Sequence, residues 1–295
     1  MPKIEKQSMA ARPKAVRSSD AWAYADKFSM MIYGQSGTGK TTLWSTFPGP
    51  VLAIICGKRS EEMRSIDTPE NRKKITARMC STGAHIEEQL AEAKTGKYET
   101  VVLDHGTSLR QVLLREELGV EELLQNRWGL ATRENYYAVA LKTKEILTRF
   151  LDLDTYRVIV AQEKDHAEDE EGGIDRSELL EDVQIASFGG DFSASVIRWL
   201  NPECSYIVQT FKRPRMVTTT RTVKMPGGKT KSVTETKRAP KDARGKLPVD
   251  FCLRVAPHDV AITKFRMWKE GTKNLPESIV DPTFDKVMQV IRGEK

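Results

Sequence analysis

The chain has 295 residues, of which 39% are hydrophobic and 30% are charged, so it can bury one substantial core, or one core and an appendage. No apolar stretch reaches the roughly 18 residues of a membrane-spanning helix, and the N-terminus lacks a hydrophobic signal core, so we expect a cytoplasmic protein without a membrane partner. The cysteines are scattered and form no CxxC pair, which predicts buried, reduced thiols rather than a zinc or redox site: Cys56, Cys80, Cys204 and Cys252.

The net charge of +6 is unevenly distributed. Residues Lys212 to Lys246 contain twelve Lys or Arg and only two acids, so this one segment outweighs the whole net charge. Residues 1–20 also contain five basic side chains and few acids, and we interpret them as a flexible basic arm. A basic segment of this kind indicates a polyanionic partner.

The first predicted strand leads into a glycine-rich loop. Residues 28–33 form a short apolar run, Gly34 to Thr41 read GQSGTGKT, and a helix can follow to Thr46 before a Pro-Gly-Pro break. This is the strand, loop and helix context in which glycine, four residues, glycine, lysine and threonine bind a nucleoside triphosphate. We therefore expect ATP to be bound by Gly34, Gln35, Ser36, Gly37, Thr38, Gly39, Lys40, Thr41 and Thr42.

The chemistry of this loop follows from its residue types. Glycines lack a Cβ, so the backbone can turn successive N–H groups towards phosphate oxygens, and the start of the following helix adds partial positive charge. Lys40 would contact the β- and γ-phosphates, and the Thr41 hydroxyl would ligate Mg²⁺.

The remaining elements of the first half alternate between strands and helices. Buried strands are predicted at Val51 to Cys56, Thr100 to Asp104 and Tyr156 to Ala161, with helices around residues 85–93 and 107–151 between them. Such alternation predicts an α/β fold with a mainly parallel central sheet flanked by helices. The later part of the second helix repeats apolar residues every three or four positions, which predicts a core-facing stripe: Tyr136, Val139, Ala140, Thr143, Ile146, Leu147 and Phe150.

Asp104 ends a buried strand about 60 residues after the loop lysine, where a carboxylate can complete the Mg²⁺ shell opposite Thr41. The next residue is His105, whereas many helicases, transporter ATPases and AAA+ machines have a glutamate there to activate water. The sequence also lacks NKxD and LSGGQ motifs, which argues against GTPases and ABC transporters.

The second half combines an acidic segment with basic strands. Residues 168–182 predict a mobile loop, and two Thr- and Val-rich segments, Met216 to Lys224 and Thr230 to Arg238, predict a basic hairpin that projects from the body. We further expect a helix near 197–200, strands at 206–211, 251–255 and 260–268, and a closing helix at 282–291. The expected organisation is an ATPase core (21–211), a hairpin insertion (212–247) and a C-terminal part that completes the core (248–295).

Together, four segments resemble the phage RecA-like ATPases that carry an AAA domain, including the RecA-like single-strand annealing proteins. They are IYGQSGTGKTTL, TVVLDHGTSL, VIVAQEKDHAEDEEGG and LPESIVDPTFDKV, and the resemblance spans most of residues 28–291. It implies a RecA-like core, a homo-oligomer, and ATP-dependent action on single-stranded DNA with phage recombination or replication proteins, in the host cytoplasm. It also implies that Gln162 senses the γ-phosphate and passes its state to a DNA-contacting loop at 164–192.

We expect residues 212–246 to bind single-stranded DNA, because neutralising its phosphates releases bound counterions. The segment has no aromatic side chain for base stacking, so the contacts would be made to the DNA backbone. Residues 264–269 offer a second contact, since alternation in a strand would put Lys264, Arg266 and Trp268 on one face. An edge strand protected by its basic residues explains that segment equally well.

The residue that activates water is open at this stage. The family has an acid near the end of the second strand, where this chain reads Cys56, Gly57, Lys58, so Glu61, Glu62 or Glu163 are the candidates. A cation from a neighbouring subunit commonly completes such sites, and Lys212, Arg213 or Arg215 could supply it. Two other functions fit: a small-molecule or nucleotide kinase, and a nucleotide-gated scaffold with little turnover.

Overall fold

A computed structural model of the protein describes residues 27–57, 61–120, 131–165, 188–224, 230–242, 244–259, 261–268 and 273–294. The basic N-terminal arm, the acidic segment 168–182 and the turn of the hairpin at 225–229 lie outside these ranges. Within them, strands and helices alternate around one large sheet, which confirms the predicted α/β class with a mainly parallel central sheet flanked by helices.

The first strand, β1 (Ser29–Gly34), lies inside the sheet and leads directly into the glycine-rich loop. It pairs in parallel with β5 (Tyr156–Asp165) on one side and β7 (Tyr206–Pro214) on the other. Beyond β5 follow β4 (Thr100–Asp104), β2 (Val51–Cys56) and the edge strand β3 (Ile75–Cys80), all parallel. The carboxyl ends of β1, β4 and β5 therefore meet at one edge of the sheet, where ligands of open α/β sheets bind.

The helices cover both faces of this sheet. They are α1 (Lys40–Trp44), α2 (Pro69–Lys74), α3 (Gly83–Ala93), α4 (Gly106–Leu118), α5 (Arg133–Leu151), α6 (Ala194–Glu203) and α7 (Phe284–Arg292), with a 3-10 helix at Glu61–Ile66. Apolar side chains of α3 to α6 pack against one face of the sheet and form one hydrophobic core. Those of α1 and α7 pack against the opposite face and form a second hydrophobic core. The strands β2 and β4 are buried along their whole length, as predicted from the uninterrupted apolar sequence of β2 and the apolar centre of β4.

Antiparallel strands extend the sheet beyond β7. The strand β10 (Val249–Arg254) pairs with β7, β11 (Ser278–Val280) pairs with β10, and the short β6 (Phe188–Gly190) pairs with the end of β5. Between β7 and β10 the chain forms a separate two-stranded ribbon of β8 (Met216–Lys224) and β9 (Thr230–Arg238). The predicted hairpin is confirmed with these bounds.

Three sequence predictions are wrong. The helix predicted over 107–151 is interrupted, since α4 ends at Leu118 with Gly119 as its C-cap and α5 begins at Arg133. Tyr136, predicted to face the core, is 41% exposed in the first turn of α5, whereas Val139, Thr143, Ile146, Leu147 and Phe150 are buried as predicted. Residues 261–268 do not form the predicted strand: they make one isolated bridge, from Lys264 to Ile207, because β7 already pairs with β10 on that side. The edge strands β3 and β11 were not predicted.

None of the helices in the described ranges is long and apolar enough to span a bilayer. All four cysteines are buried and none forms a disulfide, as the sequence predicts.

Candidate functional site

The glycine-rich loop is shaped by backbone conformations that favour glycine. Gly34, Gly37 and Gly39 all have positive φ angles, of 154°, 72° and 93°. A Cβ on Gly34 would lie 2.3 Å from the carbonyl oxygen of Thr210, so no larger residue fits there without moving β7. The loop is therefore held against β7 in one conformation.

Side-chain hydrogen bonds fix the loop further. The hydroxyl of Thr38 donates to the carbonyl of Gln35 at 2.7 Å and contacts the hydroxyl of Thr210 at the same distance. Lys40 is buried, and its ammonium group donates to the carbonyls of Gly34 and Gln35 at 2.7 and 2.8 Å. Its charge thus lies inside the curve of the loop, where a phosphate tail would need it.

Asp104 lies at the end of β4 and is only 3% exposed. Its Oδ2 accepts a hydrogen bond of 3.1 Å from the indole Nε1 of Trp44, the last residue of α1. A cis peptide bond joins Asp104 to His105, and the His105 side chain caps the start of α4 through the backbone N–H of Ser108. The carboxylate is therefore positioned by the same short helix that carries Lys40 and Thr41.

A cleft of about 440 Å³ brings the predicted residues together. The residues that line it are Ser36, Gly37, Gly39, Lys40, Thr41, Thr42, Ser65, Asp104, His105, Val160, Gln162 and Phe251. Sequence reasoning missed Ser65 and Phe251. Nothing near Ser65 in the sequence marks it, and Phe251 joins the cleft because β10 lies beside β7, with its ring 3.4 Å from a Cβ built on Gly39.

A second, smaller cleft of about 240 Å³ adjoins the first one. The two share Gly39, Thr42 and Phe251, but the second is lined by Asp281 and Pro282 and lacks Asp104 and Gln162. It therefore lies beyond Phe251, on the side of the loop away from Asp104.

Of the three candidates for water activation, only the Glu163 side chain is described. Its neighbour Gln162 lines the cleft, so alternation along β5 directs Glu163 to the opposite face of the sheet. There its carboxylate accepts hydrogen bonds from Gln209 at 2.6 Å and Gln35 at 3.4 Å, and Gln209 in turn accepts one from Arg254. Burial, and secondarily the charge of Glu163, raise the pKa of the Tyr33 hydroxyl on this face.

The donors around the cleft fit Mg²⁺. In the described ranges no group of three or more His, Cys, Asp or Glu side chains forms a metal cage. Mg²⁺ is commonly held by one or two carboxylates together with substrate phosphates, and the cleft offers the Asp104 carboxylate and the Thr41 hydroxyl next to the loop.

A protein family and a solved structure are similar to this chain. No curated protein matches the chain. A solved structure of a KaiC-like protein from the hyperthermophilic archaeon Pyrococcus horikoshii OT3 is similar over 76% of this chain and 84% of that one, with 12% sequence identity and a TM-score of 0.35. The model of the family described as an AAA domain matches residues 26–225, which is more than half of the chain. The chain therefore belongs to this AAA-domain family of P-loop proteins.

Proposed function

We propose that this protein binds and hydrolyses Mg²⁺-ATP as an oligomer and uses the cycle to act on single-stranded DNA. One observation carries the nucleotide part: the loop, Thr41, Asp104 and Gln162 surround a single cleft at the carboxyl edge of the sheet. The role in phage recombination or replication is supported by the sequence resemblance given above.

The two clefts support one orientation for a bound nucleotide. Thr41 and Asp104 would hold Mg²⁺ and so favour the terminal phosphates on the Asp104 side of the loop. The α-phosphate and the nucleoside then extend away from Asp104, past Thr42 and Phe251 and into the second cleft. The half-exposed ring of Phe251 is available there for stacking on the base.

Gln162 would contact the γ-phosphate or the attacking water. It ends the part of β5 that pairs with β1, at the pair Gly34 and Gln162, and the next three residues pair with β6. A γ-phosphate contact at Gln162 would therefore be one residue away from the pairing of β5 with β6. Since Glu163 points to the other face, Glu61 and Glu62, whose side chains lie outside the described residues, remain the proposed bases.

The DNA part of the proposal relies on the ribbon of β8 and β9. Its described side chains are almost all exposed, and its threonines form cross-strand contacts such as Thr218 with Thr236, so the ribbon needs no apolar core. Glu235 pairs with Arg221 and Lys237, which leaves an excess of cations along the ribbon. Such a surface suits phosphate contacts without base recognition.

The second predicted DNA contact, residues 264–269, is reduced to two residues, Arg266 and Trp268. Phe265 and Met267 are buried, and the ammonium of Lys264 donates to the carbonyls of Asn201, Pro202 and Cys204 at the end of α6. Trp268 is 51% exposed and is available for stacking, whereas Lys269 lies outside the described residues. Arg266 is also exposed. We therefore retain Arg266 and Trp268 in the proposed DNA surface.

One experiment tests both parts. ATP hydrolysis is measured with and without single-stranded DNA, at two salt concentrations, for the natural chain, for Lys40→Ala and for a ribbon variant, Arg221→Gln with Lys237→Gln. The matched control, Lys142→Gln with Arg149→Gln, removes the same charge from α5. We expect Lys40→Ala to abolish hydrolysis, and the ribbon variant alone to lose DNA stimulation, which should also fade at high salt.

Other outcomes assign other functions. If the rate of ATP hydrolysis did not change with single-stranded DNA in any chain, the proposed action on DNA would be contradicted. The proposed binding and hydrolysis of ATP would not be affected by that result. Phosphate transfer to a small molecule would identify a kinase. No binding of Mg²⁺-ATP by the natural chain would reject the whole proposal.

A further inference from the structure

We propose that Lys212 is a second lysine of the nucleotide site and that it acts on the terminal phosphates of ATP bound to its own subunit. The inference rests on the proposed ATP function. It differs from the sequence expectation of a cation supplied by a neighbouring subunit.

The backbone fixes the position of Lys212. In the pairing of β1 with β7, Gly34 is opposite Thr210, and in the pairing of β7 with β10, Lys212 is opposite Phe251. Residues two apart in a strand share a face, so Lys212 follows Thr210 on the face that holds the loop through Thr38. The placement thus comes from strand register rather than from one side-chain conformation.

The ammonium group of Lys212 lies over the middle of the loop. Its Nζ is 3.5 Å from a Cβ built on Gly37 and 5.3 Å from the centre of the Phe251 ring. In the described part of the chain, no carboxylate lies within 4 Å of it. A cation held over an aromatic ring and against the phosphate-binding loop has phosphate oxygens as its natural counterion.

The two neighbouring arginines lie close to a carboxylate away from the loop. Arg215 makes an ion pair of 2.6 Å with Asp250, and Arg213 approaches the same carboxylate at 4.0 Å. Asp250 is opposite Arg213 in the strand register, which puts this cluster on the face away from Lys212. Of the three cations that the sequence offered, Lys212 alone is at the loop.

The chemical role of Lys212 is electrostatic. Negative charge shifts onto the oxygens around the β–γ bridge when the γ-phosphoryl group is transferred to water, and a fixed ammonium group there stabilises that charge. Lys40 approaches from inside the loop, through the carbonyls of Gly34 and Gln35, whereas Lys212 approaches from outside, over Gly37. The two lysines would therefore hold the phosphate tail from two sides.

Nucleotide binding gives the first test. The variant Lys212→Gln removes the charge but keeps a polar side chain, and Lys142→Gln is the control, because it removes a charge from α5, where Lys142 pairs with Glu116. For Lys212→Gln we expect the Kd of Mg²⁺-ATP to rise about tenfold, more than the Kd of Mg²⁺-ADP, with kcat about 10²-fold lower, as for the loss of one transition-state donor. The control should change neither by more than about twofold.

Equal ATP affinity and equal kcat for Lys212→Gln and the natural chain would overturn the inference. If the natural chain itself did not bind Mg²⁺-ATP, the proposed function would fail instead, so the two failures are distinguishable. The binding measurement is repeated at several protein concentrations, because a contact within one subunit makes the effect independent of assembly.

Mixed assemblies give the second test. When Lys40→Ala and Lys212→Gln chains are mixed, every site lacks one of the two lysines if both act within one subunit, and hydrolysis stays low. If Lys212 instead acted on a neighbour, a Lys212→Gln site next to a Lys40→Ala chain would be complete. Hydrolysis in the mixture well above that of either variant alone would therefore refute action within the subunit.

Discussion

The hydrogen bond from Trp44 to Asp104 gives a quantitative prediction for Trp44→Phe. The indole is fully buried, and its Nε1 donates to a carboxylate that is almost completely removed from water. Phenylalanine keeps an aromatic ring in the core but has no donor. A hydrogen bond to a charged group contributes about 1.5–3 kcal/mol, and its loss leaves a buried acceptor with one donor fewer.

A smaller contribution comes from packing. Replacing the indole by a phenyl ring leaves roughly 40 Å³ unfilled, which at about 24 cal/mol per Å³ costs about 1 kcal/mol. We therefore expect Trp44→Phe to lower the free energy of unfolding by about 2.5–4 kcal/mol. Trp199→Phe, at a partly buried ring on α6, should cost only the packing part.

The measurement is urea unfolding of four chains: natural, Trp44→Phe, Asp104→Asn and the double variant. Asparagine removes the charge that strengthens the bond, so Trp44→Phe should cost about 1 kcal/mol less in the Asp104→Asn background. Additivity within about 0.5 kcal/mol would show that the two side chains are not coupled. In that case Trp44 would be a packing residue only, and the argument that α1 positions Asp104 would be wrong.

Three further outcomes follow from the fold. Gly34→Ala should destabilise the protein by at least about 2 kcal/mol and abolish nucleotide binding, because the added Cβ would collide with the Thr210 carbonyl. Thermal unfolding measures the first effect and ATP titration the second. Normal ATP binding by this variant would contradict the inference that the loop is rigid. Lys264→Met should lower the free energy of unfolding in urea by about 1–2 kcal/mol, because three carbonyls at the end of α6 lose the ammonium group that donates to them. An unchanged free energy of unfolding would mean that water replaces the ammonium group. Burial raises the pKa of the Cys204 thiol to about 12, so this thiol is neutral below that pH. It should therefore react with a thiol reagent at pH 8 only after the protein unfolds. Rapid labelling of Cys204 in the native protein would show that this thiol is not buried.

The elements that sequence reasoning predicted well are those whose signal is local. The loop from Gly34 to Thr41 is recognisable because glycines, a lysine and a threonine recur there at fixed spacing between a strand and a helix. The strand β2 is an uninterrupted apolar run, β4 has three apolar residues between Thr100 and Asp104, and the hairpin has a turn composition between two Thr- and Val-rich segments. Each of these features depends on residues close together in the chain.

The wrong predictions concern residues whose structure depends on partners that are distant in the sequence. Residues 261–268 have the composition of a strand, but the edge of β7 is already occupied by β10, so only one bridge forms. Tyr136 has the right spacing for the core stripe of α5, yet it is 41% exposed, because spacing along a helix does not show whether another element covers a given side chain.

The sequence by itself determined that this protein is an α/β protein with a phosphate-binding loop, because periodicity and loop chemistry are local properties. Only the tertiary structure decided which side chains share the site. Trp44 reaches Asp104 across 60 residues, Phe251 joins the loop from β10, and Glu163 is turned to the opposite face beside Gln209. The physical reason is that strand order and register, set by burial of the whole sheet, bring these residues together, and no short stretch of sequence encodes them.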